Sequence, residues 1–246
     1  ILGVDIIKEF NWVIDYKNQI LIMYPPNYTP ENVKEIHELD FVFSNNRPFV
    51  FLKHKKSRFR FLLDTGAGGF SNISKRNYNL TGLKDLPQVN MYTGSFDVNG
   101  ILTSSQPKIF QLSETTSKQV KLSPVVFYNN KKSTKIGNKL WKGKKLFLSL
   151  KQQKLYASSA RIKDEFQSFP CSVIFHKGKM RIMKIVKGSD IWNMGVRQGD
   201  EVALYDGKKF NDFCSLNQYQ RKQLKDRKSI DLQLSNGKIV TISKTT

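Results

Sequence analysis

The sequence has little with which to build a covalent or metal-held scaffold. Of its 246 residues two are cysteine, Cys171 and Cys214, and three are histidine, His37, His54 and His176. Two cysteines that far apart make neither a disulfide framework nor a zinc knuckle, and they leave the redox compartment open. The histidines are scattered without ligand spacing, so no metal and no cofactor is assigned. Long apolar runs are missing as well. The longest are strand-sized and broken by charge, well short of the roughly 18 to 20 residues that cross a bilayer as a helix, so no membrane span is expected. Acidic residues are scarce, 20 Asp plus Glu against 41 Lys plus Arg, which leaves a formal charge of +21.

Such an excess directs attention to anionic partners. The charge, however, is not concentrated: residues 1–160 hold 24 basic and 11 acidic residues, and residues 161–246 hold 17 and 9. The clusters Lys53–Arg60 and Lys142–Lys145 read as solvated hairpin tips and exposed strand faces. No nucleic-acid motif accompanies them, and no nucleic-acid partner is expected. What the chain does have is aromatic: 17 Phe, 9 Tyr and 3 Trp, with 39% hydrophobic residues overall, describe a folded chain with room for one or two domains.

An internal repeat organises the first part. Placing Gly3 on Gly137, a shift of 134 residues, aligns two stretches without a gap. Trp12 meets Leu146, Val13 meets Phe147, Ile14 meets Leu148, and Lys17-Asn18-Gln19 meets Lys151-Gln152-Gln153. Each copy reads as glycine, a short helical turn, a strand, a polar turn and another strand. After the first copy, residues 1–23, Pro25, Pro26 and Pro30 mark a linker over 24–38. Residues 39–158 are strand after strand, with Gly, Asn and Pro as punctuation: 40–43, 48–53, 57–63, 88–92, 108–112 and 120–128. A polar connection over 159–168 leads to a separate unit, 169–246, with several strands and a helix over 215–227. The fold class expected is mainly β, with a small α+β unit at the end.

One segment carries chemistry. Phe59–Ser74 joins an apolar strand to Asp64, Thr65, Gly66 and Ala67. A carboxylate that ends a buried strand is costly unless it is hydrogen-bonded or shares a proton. Gly66, Gly68 and Gly69 permit a tight turn that brings backbone N–H groups close to it. The run Leu62, Leu63, Asp64, Thr65, Gly66, Ala67 resembles the lobe signature of the aspartic peptidases, the pepsin and retropepsin superfamily: two apolar residues, then D-[TS]-G-[AS]. That family also places an apolar pair and a glycine later in the lobe, beside the active-site turn. Ile136 and Gly137 fit, with Lys135 standing where an apolar residue is usual, and Ile1–Met23 resembles the closing segment of a preceding lobe.

The resemblance covers residues 1–158 and implies a retropepsin-like lobe in 39–158. It makes Asp64 one of two catalytic aspartates, Thr65 a brace across the lobe interface, and Gly66 the residue that keeps the carboxylate approachable. It implies a second aspartate about seventy residues before Ile1, by the spacing of the repeat, or in the other chain of a homodimer. The hairpin at Tyr92, Thr93, Gly94 and Ser95, with Asn99 and Gly100 further on, takes the place of a substrate flap, although Gly and Asn turns occur in any β domain.

In the last unit, Ser189, Gly195, Gly199, Asp200 and Gly207 resemble the pattern of a bacterial-type PDZ domain over residues 169–243. The resemblance implies a peptide groove between Cys171, Ser172, Val173, Ile174 and Phe175 on a strand and Leu216, Tyr219 and Gln220 on a helix. Where that family has a glycine-containing loop for a terminal carboxylate, this chain has Pro170, which offers no N–H. The expected function is therefore an aspartic endopeptidase acting on polypeptide, with a PDZ domain for recognition and little activity in 1–246 alone. The alternative is a peptide-binding scaffold that keeps both folds without catalysis. The chain opens directly on Ile1-Leu2-Gly3-Val4 and reads as a piece of something longer. A secreted or periplasmic site follows from the resemblance only.

Overall fold

The computed structural model describes residues 4–28, 36–80, 83–96, 102–128, 133–164, 169–223 and 227–244. The protein is mainly β. Its first elements are α1 (Val4–Ile7), β1 (Asn11–Asp15), β2 (Ile20–Tyr24), β3 (His37–Glu38), β4 (Phe41–Ser44), β5 (Arg47–His54), β6 (Ser57–Leu63), β7 (Ser71–Ile73) and α2 (Lys75–Leu80). There follow β8 (Val89–Phe96), β9 (Leu102–Ser105), β10 (Lys108–Gln111), β11 (Thr115–Ser117), β12 (Val120–Ser123), β13 (Val125–Tyr128) and β14 (Lys135–Ile136). A 3-10 turn (Asn138–Trp141) precedes β15 (Lys145–Ser149), β16 (Lys154–Ala157) and β17 (Arg161–Lys163). The chain ends in β18 (Cys171–His176), β19 (Lys179–Val186), α3 (Asp190–Asn193), β20 (Glu201–Tyr205), α4 (Phe213–Gln223), β21 (Ser229–Leu234) and β22 (Ile239–Ser243).

These form two compact units: Ile1–Pro87 with Phe110–Glu165, and Gln88–Ile109 with Phe166–Thr246. In the first unit the repeat is visible element by element. Shifted by 134, α1 falls on the 3-10 turn, β1 on β15 and β2 on β16. The turns match too. Gln19 and Gln153 both take the left-handed conformation, with φ of 58° and 55°. Asp15 Oδ1 accepts the Asn18 amide at 2.9 Å, while Ser149 Oγ accepts the Gln152 amide at 3.3 Å. Both hairpins share one sheet of order β2-β1-β15-β16-β3. In its centre Val13 lies opposite Phe147, its own repeat partner, so a local two-fold axis passes between them. Ile1, Leu2 and Gly3, where the alignment began, lie outside the described residues.

The rest of this unit is an antiparallel run β4-β5-β6, with β11 on β5 and β12 on β11. Strand β6 alternates as a half-buried strand should: Phe59, Phe61 and Leu63 are buried, while Arg58 and Arg60 face out. Those two guanidinium groups lie over Phe51 and Phe49, at 3.9 and 3.6 Å from the ring centroids. Arg58 also pairs with Asp40. Val50, Leu52, Phe61, Ile73, Leu122 and Ile136 sit in the closed core. The 120–128 run is two strands, because Pro124, with no N–H to give a ladder, separates β12 from β13. The described parts of the two expected connections, residues 24–28, 36–38 and 159–164, carry structure of their own. Asn11 Nδ2 donates to the carbonyls of Pro26 and Tyr28, β3 pairs with β16, and β17 runs parallel to β12.

In the second unit β18, β19, β20, β21 and β22 pair antiparallel in that order. Helix α4 packs along β18, and Val173, Ile182, Ile185, Leu216 and Leu232 fill the core between them. Asp206 and Gly207, with φ of 53° and 73°, form the expected two-residue hairpin turn. The boundary differs from the sequence expectation in one respect. Residues 88–109, read as part of the first β domain, belong to this unit: β8 pairs with β19, Tyr92 opposite Ile185, and Met91 is buried.

Candidate functional site

Strand β6 delivers Asp64. Its inward side chains anchor the strand, and β14 runs parallel beside it, Lys135 opposite Leu62 and Ile136 opposite Leu63. The Asp64 amide reaches the Ile136 carbonyl at 3.4 Å, so the carboxylate stands where the β6–β14 pairing ends. The chain then turns: the Ala67 amide bonds to the Asp64 carbonyl at 3.1 Å, and Asp64 Oδ1 accepts the Gly66 amide at 3.1 Å. A carboxylate beside such an N–H needs no distant donor to stay ordered.

Gly137 locks this turn from below. Residues 67–71 cross over 137–139, with the Asn138 amide on the Ala67 carbonyl at 2.8 Å and the Lys139 amide on the Gly69 carbonyl at 3.3 Å. A Cβ at Gly137 would lie 2.1 Å from the Gly69 carbonyl oxygen and 2.5 Å from that of Phe70. Only glycine fits there. Asn138 completes the brace. Its Nδ2 donates to the Thr65 carbonyl, and its Oδ1 accepts from the Tyr16 hydroxyl at 3.0 Å. Burial pushes the Tyr16 phenol up to about 12, so it stays a neutral donor.

Two further features define the chemistry available. Lys135 Nζ lies 2.9 Å from Asp64 Oδ2, both side chains being partly exposed at 30% and 28%. The residue that departs from the apolar pattern of the sequence is thus the one that touches the carboxylate. Beside Asp64 and Thr65 opens a cavity of about 650 Å³, with Trp12, Ile14, Leu21, Phe43, Leu62 and Leu148 among its apolar walls. Val4, Ile7, Tyr16 and Asn138 also reach it. Asp64 and Thr65 line this cavity, and the Gly66 amide bonds the carboxylate. Sequence reasoning missed Tyr16 and Asn138 as its supports. The repeat could have pointed to Asn138, which follows the matched glycine directly.

The other singled-out residues lie in the second unit. Tyr92, Thr93 and Gly94 belong to β8, between β9 on one side and β19 on the other, so their ladder partners are Ser104, Ser105, Lys184 and Ile185. Asn99 and Gly100 lie outside the described residues. On β18, Cys171 and Val173 are buried in the core with Leu216 of α4, while Ser172, Ile174 and Phe175 are half-buried. Burial pushes the Cys171 thiol up to about 12, which leaves it inert. Gln220 Nε2 donates to the Val173 carbonyl at 2.9 Å and so ties α4 to the strand. The Tyr219 hydroxyl donates to Asp206.

Among the described residues no three His, Cys, Asp or Glu side chains gather as metal ligands, and no helix is long and apolar enough to cross a membrane. The chain matches no protein-family model and no curated protein sequence.

Proposed function

We propose that the first unit is one lobe of an aspartic peptidase, that Asp64 is one of its two catalytic carboxylates, and that the second unit is a PDZ-like module. The observation that carries the reading is the seat of Asp64. It ends a buried strand, is bonded by the Gly66 amide, and sits on a turn that a glycine 73 residues later holds from below. That is more than a D-T-G triplet: strand, turn and crossing glycine act on one carboxylate.

Hydrolysis by this chemistry needs two carboxylates sharing a proton. One takes a proton from the attacking water as the other gives one to the scissile carbonyl, and the roles return when the tetrahedral species collapses. Asp64 alone cannot do both. Its Oδ1 is held by Gly66, and its Oδ2 is paired with Lys135, so the lysine has to give up its place when the second carboxylate and the water arrive. In the second unit, a peptide adding to β18 has to displace Gln220 from the Val173 carbonyl.

Lys135 is also the observation that favours the second reading, a peptide-binding scaffold with a retired site, because it occupies the carboxylate oxygen that catalysis requires. Cleavage of an unfolded polypeptide by the full-length protein at mildly acid pH separates the two. Loss of cleavage in the Asp64→Asn variant supports the peptidase; equal cleavage by both proteins removes it. With Lys135→Leu, faster cleavage identifies the ion pair as a restraint on an active site, and absence of cleavage in all three proteins leaves the scaffold.

A further inference from the structure

Basic residues that are dispersed along the chain are gathered by the register of the sheet in the first unit. Arg58 of β6 lies opposite Lys53 of β5, Lys53 opposite Thr116 of β11, Thr116 opposite Lys121 of β12, and Lys121 opposite Arg161 of β17. Residues directly opposite one another share a face, so five neighbouring strands set four cations in one row. Burial fixes which face it is. Leu52, Phe59, Leu122 and Ile162, each one step along its strand, are at most 2% exposed, while Lys53, Arg58, Lys121 and Arg161 are exposed. With strands about 4.8 Å apart, the row is about 19 Å long. Arg60 and Lys163, two residues on from Arg58 and Arg161, are exposed and extend the same face at its two ends. Three acids border it: Asp40 pairs with Arg58 at 2.8 Å, Glu38 pairs with Lys118 at 2.6 Å, and Glu114 stands exposed ahead of β11. Among the described residues, Lys53, Arg60, Lys121, Arg161 and Lys163 form no ion pair. Like charges set opposite one another cost a sheet stability, and here they are opposed twice, Lys53 with Arg58 and Lys121 with Arg161. An anion laid along the row removes that cost.

We propose that this face of the first unit binds single-stranded nucleic acid, with Lys53, Arg58, Lys121 and Arg161 on successive phosphates. The twist of the sheet selects a flexible strand. Neighbouring strands turn by about 20 to 25°, so over four steps the cations at the two ends point about 80 to 100° apart. A single strand follows that turn, whereas a planar lipid surface meets only part of the row. The arginines at the β6 end supply the second element of such a site. Arg58 and Arg60 lie over the rings of Phe51 and Phe49, at 3.9 and 3.6 Å from the centroids, and their outer faces remain exposed as platforms on which bases stack. Phosphate contacts and stacking carry no base identity, so the face reads no sequence. The site was illegible in the chain because only Lys53 and Arg58 are near one another there; β11, β12 and β17 bring the rest. It does not depend on Asp64 or on the peptidase reading.

The test titrates a fluorescent oligothymidylate of about 12 nucleotides with the protein at several salt concentrations and follows anisotropy. The expected result is an affinity that falls with salt at a logarithmic slope of about −3, from four phosphate contacts at about 0.7 each. Oligouridylate of the same length should bind equally well, and a duplex of that length more weakly, although its charge density is higher. Lys53→Gln with Lys121→Gln and Arg161→Gln should weaken binding at least about 10-fold and reduce the slope by about 2. Lys75→Gln with Lys142→Gln and Lys154→Gln, which remove as much charge from exposed lysines off the row, should change it by less than about 3-fold. The row variant should melt no lower than wild type, since it relieves opposed like charges, and Lys53→Arg with Lys121→Arg, which keeps them, should bind as wild type does. Equal weakening by the two triple variants overturns the proposal, because net charge would then be the cause. So does tighter binding of the duplex, or no binding of either oligonucleotide at low salt. Binding of phosphatidylcholine vesicles with about 30% phosphatidylserine, without binding of the oligonucleotides, overturns it in favour of a membrane surface.

Discussion

The two units answer differently to the same kind of reading. In each, a short pattern of glycine and acid singled out a handful of residues. In the first unit the three neighbours Asp64, Thr65 and Gly66 stand at a turn beside a cavity, with a carboxylate still partly open to solvent. In the second, the residues expected to line a groove include Cys171, Val173 and Leu216, which are core, and Gln220, whose amide is spent on the Val173 carbonyl. The difference lies in the chemistry of the residues. An ionisable group at the end of a buried strand is costly and calls for a partner or a task. Apolar residues on a strand facing a helix are already useful as packing.

The largest effect that would sharpen this contrast is at the glycines. Gly137→Ala drives a methyl into the backbone at Gly69 and Phe70, and should cost more than about 4 kcal/mol and unfold the first unit while the second keeps its spectrum. Gly207→Ala in the second unit meets no atom within 4 Å and has only its positive φ against it, so a loss of about 1 kcal/mol is expected. Thermal unfolding followed by NMR of each unit reads both; equal losses would break the comparison. Next in size is Leu216→Ala, which opens a cavity between α4 and β18 and should cost about 2 to 5 kcal/mol without touching the Asp64 turn.

The smallest effect is one of pH. Hydrogen bonds from the Asn18 amide and side chain, with Lys145 at 3.2 Å, hold the Asp15 carboxyl down at about 2 against burial. A carboxyl with a folded pKa below its unfolded value of 3.8 stabilises the folded state above that value and loses the contribution as pH falls through the folded one. Wild type should therefore melt above Asp15→Asn at pH 7, and the gap should close between about pH 4 and pH 2. His54 acts in the same direction at higher pH. Its burial disfavours the imidazolium and lowers its pKa, so the first unit should begin to lose stability as pH drops below 6.5. A gap in melting temperature that stays constant down to pH 2 would show that Asp15 is not the group responsible.

Much of this was legible in the sequence, and what was legible was local. The repeat was readable because strand, turn and apolar spacing are encoded within some twenty residues, down to a left-handed glutamine at the same place in both turns. The Asp64 turn was readable for the same reason. Residues 88–109 were misplaced because nothing local says which sheet a strand will join; Met91 and Tyr92 find Val186 and Ile185, nearly a hundred residues away. Helix α4 starts at Phe213, ahead of the expected Ser215, because Asp212 caps it by accepting the Ser215 amide at 2.8 Å. The Lys135–Asp64 pair was invisible for a related reason, since a parallel pairing of β14 with β6 brings together residues 71 apart.

The account stands on Asp64, and the most direct measurement is the rate of peptide-bond cleavage by the full-length protein with and without its carboxylate. An unfolded protein substrate, incubated between about pH 4 and 6 where a shared proton is available, should be cut by wild type and at least about 1,000-fold more slowly by Asp64→Asn, with melting temperatures nearly equal. Cleavage at the same rate by the two proteins would contradict it.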